Sequence, residues 1–364
     1  MLRKLKTNLL LVYYFKEKLK KQLYLPTQKT CMQDLFSISI LIPTLNEEKY
    51  IEKCLNSIFC QTYHSNIIEI FIVDGGSIDR TVEIVNQLRP DHPNLFLLNN
   101  NKKIQAAAFN IGIDNFKGDI FIRLDAHCTY DTEYIYNCVQ YHRSSEYGNV
   151  GGCWSIEPGS DSIMAKTIAL VSSSRIGLGS AAYRVGKKIM LTDSVPFGAF
   201  TKKVLSVVGR MDESLPRGED NEYNARIRKK GYKILFDPKI ISYYYGPPDL
   251  NSFLNKIYSN GFSIGVLLRV SRESVSVRHL VPLMYILALG LGLSLSLFYS
   301  FFKFALLLLL TVYFLLTLLS GISKLSIQMI KLVPLYIYIT YLVHLTYGIG
   351  ILHGLIKGNY KARD

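Results

Sequence analysis

The chain has 364 residues, enough for one large catalytic domain and something more. Lys and Arg number 42 against 28 Asp and Glu, a net +14 that points to an anionic partner: nucleic acid, an anionic membrane surface or a phosphorylated substrate. A mean hydropathy of +0.17 argues against a wholly water-soluble enzyme. The six cysteines form no Cys-x-x-Cys pair, which argues against a cysteine-metal fold and suits a reducing compartment.

Residues 1–36 open as MLRKLKTNLLLVYYFKEKLKKQLYL, basic and partly amphipathic. The apolar core Leu9 to Phe15 is short and no small-residue cleavage site follows, so a secretory signal is not expected. The segment reads as a membrane-proximal stretch lying on an anionic leaflet, or as a disordered basic arm.

A catalytic domain is expected over 37–250. A buried strand, Ile38 to Ile42, should stop at Pro43, and Asn46 can cap a helix with Glu47 and Glu48 in its first turn. Ile51, Cys54, Leu55, Ile58 and Phe59 then recur at helical spacing. The design repeats: a strand ending at Val73, a polar loop, and a helix near Asp79, which is the expected cap. A third strand is expected at Leu95 to Leu98. A helix carrying Ala106, Ala107, Phe109 and Ile113 follows, then a strand at Ile120 to Leu124. Alternating strands and helices predict an α/β, mostly parallel sheet covered on both faces, with ligands beyond the carboxyl ends of the strands. Three polar clusters fall there: Pro43-Thr44-Asn46-Glu47, Asp74-Gly75-Gly76-Ser77-Asp79 and Asp125-His127. Further on, a helix is expected from about Asn221 to Lys230, then strand-like segments at Lys233 to Phe236 and Ile240 to Tyr244.

Residues 251–280 read as a juxtamembrane connector, either an interfacial helix whose Arg269 and Arg272 face lipid phosphates or a solvated basic linker. Within 281–356 two uncharged runs, 281–300 and 304–323, are long enough to cross ~30 Å of hydrocarbon. A third, 332–356, carries tyrosines and two histidines that suit an interface-hugging or protein-packed helix, giving two to three spans before a basic tail at 357–364. Arg269, Arg272 and Arg278 flank the spans. The positive-inside rule therefore predicts an integral inner (cytoplasmic) membrane protein with residues 1–280 in the cytoplasm.

Several residues have chemistry in view. Asp74, followed by two glycines, can accept from a ribose hydroxyl or a base N–H, or can simply open a tight turn. Asp125 and His127 can turn toward one divalent cation, Mg²⁺ or Mn²⁺; the plain alternative is a turn aspartate and a surface histidine. Glu219 and Asp220 precede a helix and can serve as cap and dipole partner, or as a general base.

Taken together, SILIPTLNEEKYIEKCLNSI, EIFIVDGGSIDRTVEI, NKKIQAAAFNIGIDNFKGDIFIRLDAHC, VPFGAF and GRMDESLPRGEDNEYNARIRKKGYKI resemble glycosyltransferase family 2, over roughly residues 37–245. The resemblance implies an inverting enzyme of the GT-A fold, a Rossmann-like domain, here with C-terminal transmembrane helices. Asp-Ala-His in place of Asp-x-Asp, with YRVG, DSVPFGAF and VRHLVP, resembles the membrane-associated succinoglycan and exopolysaccharide type.

The resemblance assigns Pro43, Thr44, Asn46, Glu47, Asp74, Gly75 and Ser77 to the pocket of a UDP-sugar, and Asp125 to its ribose and a metal. His127 replaces the second carboxylate as metal ligand, and Asp220 is the catalytic base. Lys102, Lys103 and Arg80 are candidates for the departing diphosphate. The Gln-x-x-Arg-Trp signature of processive members is absent, which implies one sugar per encounter, delivered to a membrane-held, lipid-linked or saccharide acceptor in polysaccharide synthesis. Rivals are a polyprenyl-phosphate sugar synthase, a metal-dependent nucleotidyltransferase releasing pyrophosphate, and a basic scaffold. Nucleic acid is not an expected partner, because basic and aromatic residues do not interleave on one face.

Overall fold

A computed structural model describes residues 36–63, 66–215, 217–324 and 327–357. Residues 1–35 of the N-terminal segment and 358–364 of the basic tail therefore lie outside the described residues.

The strands are β1 (Ile38–Thr44), β2 (Ile67–Asp74), β3 (Leu95–Asn99), β4 (Ile120–Arg123), β5 (Cys128–Tyr130), β6 (Tyr147–Glu157), β7 (Met190–Leu191), β8 (Ala199–Thr201) and β9 (Lys233–Tyr245). The helices are α1 (Ile51–Phe59), α2 (Thr81–Leu88), α3 (Gln105–Asn115), α4 (Tyr134–Tyr141), α5 (Ile163–Ser172), α6 (Arg175–Leu178) and α7 (Ala182–Val185). They continue as α8 (Lys202–Val208), α9 (Glu219–Lys229), α10 (Leu250–Val270), α11 (Val281–Ser296), α12 (Ser300–Lys324) and α13 (Val333–Lys357).

The strands share one sheet, β3-β2-β1-β4-β8-β6-β9-β5, with β7 beside β9. The β3-β2-β1-β4 portion is parallel, and β8 enters antiparallel to β4. Chain order reverses at β1, so the crevice of this open sheet opens beyond the ends of β1, β2 and β4. Strand alternation divides the core. Ile38, Ile40 and Ile42 pack with Leu55 and Ile58 of α1 on one face, while Leu41 packs with Phe121 and Phe109 on the other. Both faces are buried, which is why these strands read as continuous apolar runs.

Three expectations about boundaries change. Pro43 lies inside β1, opposite Val73, rather than ending it. Pairing of β1 with β4 ends at Leu41, so the missing proline N–H removes no rung on that side. Asn46 does not cap a helix: it sits in the left-handed region at φ 56, and α1 begins at Ile51. Its side chain accepts from the Ile78 N–H (2.9 Å), so it is spent on the neighbouring loop. Finally, the two segments expected around Pro238 form one strand, β9, whose register against β6 slips between Gly152 and Cys153.

Among the described residues three helices are long and apolar enough to cross a membrane: Val277–Ser296, Ser300–Lys324 and Ile330–Lys357. The first two are 11% buried against the rest of the chain and the third 39%. The third packs on α10. Gly261 and Gly265 of α10 meet Gly350 and Gly354 of α13 so closely that a Cβ at Gly354 would stand 2.1 Å from the Phe262 carbonyl oxygen. These are two facing Gly-x-x-x-Gly pairs, the pattern that lets helix backbones touch. The connector is thus a helix docked on the third apolar segment.

Candidate active site

The first two polar clusters form one braced corner. The Asp74 carboxylate accepts from the N–H groups of Gly76 (2.8 Å) and Ser77 (2.9 Å), and from the hydroxyls of Ser77 (2.5 Å) and Thr44 (3.4 Å). Gly76 stands at φ 85, a conformation that favours glycine, and so allows the tight turn. Asn46 N donates to Ser77 Oγ (2.9 Å), Glu47 N to Thr81 Oγ1 (2.7 Å), and Gly75 N to the Thr44 carbonyl (2.8 Å). Asp79 lies one residue ahead of the N-cap position of α2, Arg80, rather than in it. Its carboxylate accepts from both Thr81 N (3.0 Å) and Glu48 N (3.1 Å), tying the two loops together. Pro43, Thr44, Asn46, Glu47, Asp74, Gly75 and Ser77 are therefore held in one place.

Glu47 links this corner to the third cluster. Its Oε1 lies 3.0 Å from His127 Nδ1, and the His127 ring meets Tyr244 edge-on at 5.2 Å. Asp125 is fixed by its backbone, whose N–H donates to the Tyr130 hydroxyl at 2.8 Å, while its carboxylate takes the Arg123 guanidinium at 2.8 Å. The donor types at Asp125 and His127, carboxylate oxygen and imidazole nitrogen, suit Mn²⁺ or Mg²⁺. Among the described residues no group of three or more His, Cys, Asp and Glu forms a cage for an ion. The pair fits a cation that arrives with the phosphates of a ligand, and does not fit a permanently caged one.

Helix α9 begins at Glu219, two residues earlier than expected, so Glu219 and Asp220 occupy its first turn after Gly218 at φ 87. Glu219 is buried. That burial, with the charge of Asp220 beside it, pushes its carboxyl up to about 7. The buried Arg123 guanidinium lies within electrostatic reach of Asp125, Glu219 and Asp220 together. Sequence reading missed Arg123. The signal was there: an arginine inside the apolar run IFIRL, where burial demands a partner. Two of the phosphate-binding candidates are occupied, Arg80 by Glu83 (3.1 Å) and Lys102 by Glu213. Lys103 stays beside Gly76.

Asp125, His127 and Asp220 line one cavity of about 540 Å³. Asp74 is not in its wall but lies at the same sheet edge, at the end of β2, with β1 between it and β4. The cavity continues past Trp154, Tyr183, Arg184 and Lys256 to Tyr285 of α11, Tyr313 of α12 and Tyr347 of α13. It therefore joins the strand-end acids to the helices of membrane-spanning length.

Fold and site together define a glycosyltransferase of the GT-A type. The chain belongs to glycosyl transferase family 2, whose family model matches residues 39–209. It is 31% identical over 333 residues to the dolichyl N-acetyl-alpha-D-glucosaminyl phosphate 3-beta-D-2,3-diacetamido-2,3-dideoxy-beta-D-glucuronosyltransferase of Methanococcus voltae, covering 88% of this chain and 98% of that one. Succinoglycan biosynthesis protein ExoA of Rhizobium meliloti (strain 1021) is 28% identical over 246 residues, 67% of this chain and 74% of its own. The mannosyltransferase PcManGT from Pyrobaculum calidifontis, solved in complex with GDP-Man and Mn²⁺, superposes with a TM-score of 0.56. It covers 96% of this chain and 95% of its own at 18% identity, a likeness of fold.

Proposed function

We propose that this enzyme moves one sugar, with inversion, from a UDP-linked donor to a saccharide held in the membrane by a lipid phosphate. The observation that carries the reading is the cavity, which has acids at one end and the aromatic residues of α11, α12 and α13 at the other. Exposed Leu287, Leu291, Phe298, Phe301, Phe304 and Leu308 give the α11–α12 hairpin the surface of a lipid-embedded element. The basic residues flanking it favour a cytoplasmic active site. A relative whose name specifies a dolichyl phosphate-linked acceptor, aligned over nearly the whole chain, supports the same acceptor class.

In this reading the corner around Asp74, Asn46 and Glu47 seats the nucleoside, and Asp125 and His127 approach the diphosphate. Asp125 and His127 would hold a divalent cation, which when bound would supply charge stabilisation to the departing diphosphate. Asp220 removes the proton of the acceptor hydroxyl as its oxygen bonds to the anomeric carbon and the bond to the diphosphate breaks. The nucleophile enters opposite the leaving group, so the configuration inverts. Arg123 holds the Asp125 carboxylate in position and adds its positive charge to the field at Glu219 and Asp220.

The test is a panel of UDP- and GDP-sugars with membranes containing the enzyme, scored for nucleoside diphosphate release and lipid product. Asp220→Asn should lower transfer by about 10²–10⁴-fold with donor binding unchanged. Near wild-type turnover in that variant removes Asp220 as the base, and release of pyrophosphate in place of UDP or GDP overturns the reaction class.

A further inference from the structure

The cavity wall carries a cation–aromatic stack. The Trp154 and Tyr244 rings lie parallel at 10° with centroids 4.6 Å apart. The Arg184 guanidinium lies over the Trp154 ring at 5.0 Å, and the Lys256 ammonium over the Tyr244 ring at 4.7 Å. Tyr183 flanks the guanidinium at 5.2 Å. The remaining hydrogen bonds are to neutral groups: Arg184 Nη1 donates to the Ser172 carbonyl (3.1 Å) and Lys256 to the Tyr244 hydroxyl.

Two other cations of the cavity are matched, Arg123 by Asp125 and Arg278 by Asp193, each at 2.8 Å, while Arg175 and Arg217 of its wall are exposed and stand outside the aromatic stack. Among the described residues neither Arg184 nor Lys256 pairs with a carboxylate. Aromatic faces hold such cations in place without cancelling their charge. The Trp154 indole N–H is buried and without a partner, so one more donor is unmet beside them. Positioned, uncompensated cations next to a free donor, in a partly enclosed cavity, make a phosphate seat.

We propose that Arg184 and Lys256, held by Trp154 and Tyr244, bind the phosphate that joins the acceptor sugar to its lipid. The inference rests on the lipid-linked acceptor reading and deepens it. The seat adjoins the donor side through the edge contact of Tyr244 with His127, and on its other side the stack shares its cavity with Tyr285, Tyr313 and Tyr347 of the apolar helices. The lipid phosphate would rest on the stack, with the sugar hydroxyl extending toward Asp220.

Trp154 is the only tryptophan, so its fluorescence reports on this stack alone. The full-length protein in detergent is titrated with farnesyl phosphate, and separately with farnesol, inorganic phosphate and UDP. We expect a saturable change with farnesyl phosphate and none with farnesol. Arg184→Gln should weaken that binding about tenfold or more, the loss of one charge-assisted hydrogen bond. Lys256→Met should weaken it in the same direction, Arg184→Lys should retain part of it, and unchanged UDP affinity, measured separately by equilibrium dialysis, shows that the variants remain folded. An Arg184→Gln titration equal to wild type overturns the seat, as does an equal response to farnesol. A UDP response that depends on Arg184 assigns the stack to the donor instead and also overturns it. The measurement needs no turnover, so it separates the two ideas. Wild-type protein that ignores farnesyl phosphate sinks the lipid-linked acceptor and the seat together, whereas binding indifferent to Arg184 sinks the seat alone.

Discussion

Replacing Glu219 by Gln tests the electrostatics of the site directly. The side chain is 7% exposed, and burial with the adjacent Asp220 raises its carboxyl from 4.5 to about 7 while Arg123 pulls the other way. An acid raised in the folded state binds a proton there that the unfolded chain releases. Its contribution to stability is fully present below pH 4.5 and is lost as the pH rises through about 7. At about 1.36 kcal/mol for each pH unit between the two values, ionising Glu219 costs folding about 3 kcal/mol at alkaline pH. Glutamine keeps the shape and carries no charge. Thermal unfolding of the detergent-purified protein, followed from about pH 5 to pH 8, should show the wild type losing stability relative to Glu219→Gln. Above neutrality the variant should be the more stable of the two. Parallel profiles, with no advantage for the variant at the alkaline end, refute the reasoning. Glu219 would then not be held as a neutral acid against Asp220.

Two further perturbations address other parts of the molecule. Excess chelator should abolish transfer and added Mn²⁺ should restore it, because Asp125 and His127 leave the charge of a departing diphosphate largely unmet; full activity in chelator removes their metal role. Gly354→Leu should destabilise the α10–α13 contact by several kcal/mol, since its Cβ would meet the Phe262 carbonyl oxygen at 2.1 Å, a backbone atom with little freedom to move. An unchanged melting temperature would show that the two helices can separate without cost.

Much of the parallel, N-terminal half of the sheet was legible along the chain, because it is written in neighbours. The apolar runs at 38–42, 67–73 and 120–124 lead to Thr44, Asp74 and Asp125 where the chain leaves the sheet, and alternation alone places those ends on one edge. Local reading failed where a side chain had a remote partner. Asn46 has the composition of a helix cap, yet its amide is used by Ile78 in the next loop. Pro43 reads as a strand stop, and only the short pairing of β1 with β4 permits it inside β1.

The apolar lengths of the C-terminal third, and the order of acid-bearing motifs before it, were determined by sequence alone. Both depend on residues a few positions apart. Tertiary structure alone decided that Arg123 lies among Asp125, Glu219 and Asp220, that Trp154 stacks on Tyr244, and which Gly-x-x-x-Gly pair faces which. Apart from the near neighbours Arg123 and Asp125, those contacts join residues roughly 90 positions apart, and propensity and periodicity carry no information about which distant surfaces the folded chain brings together.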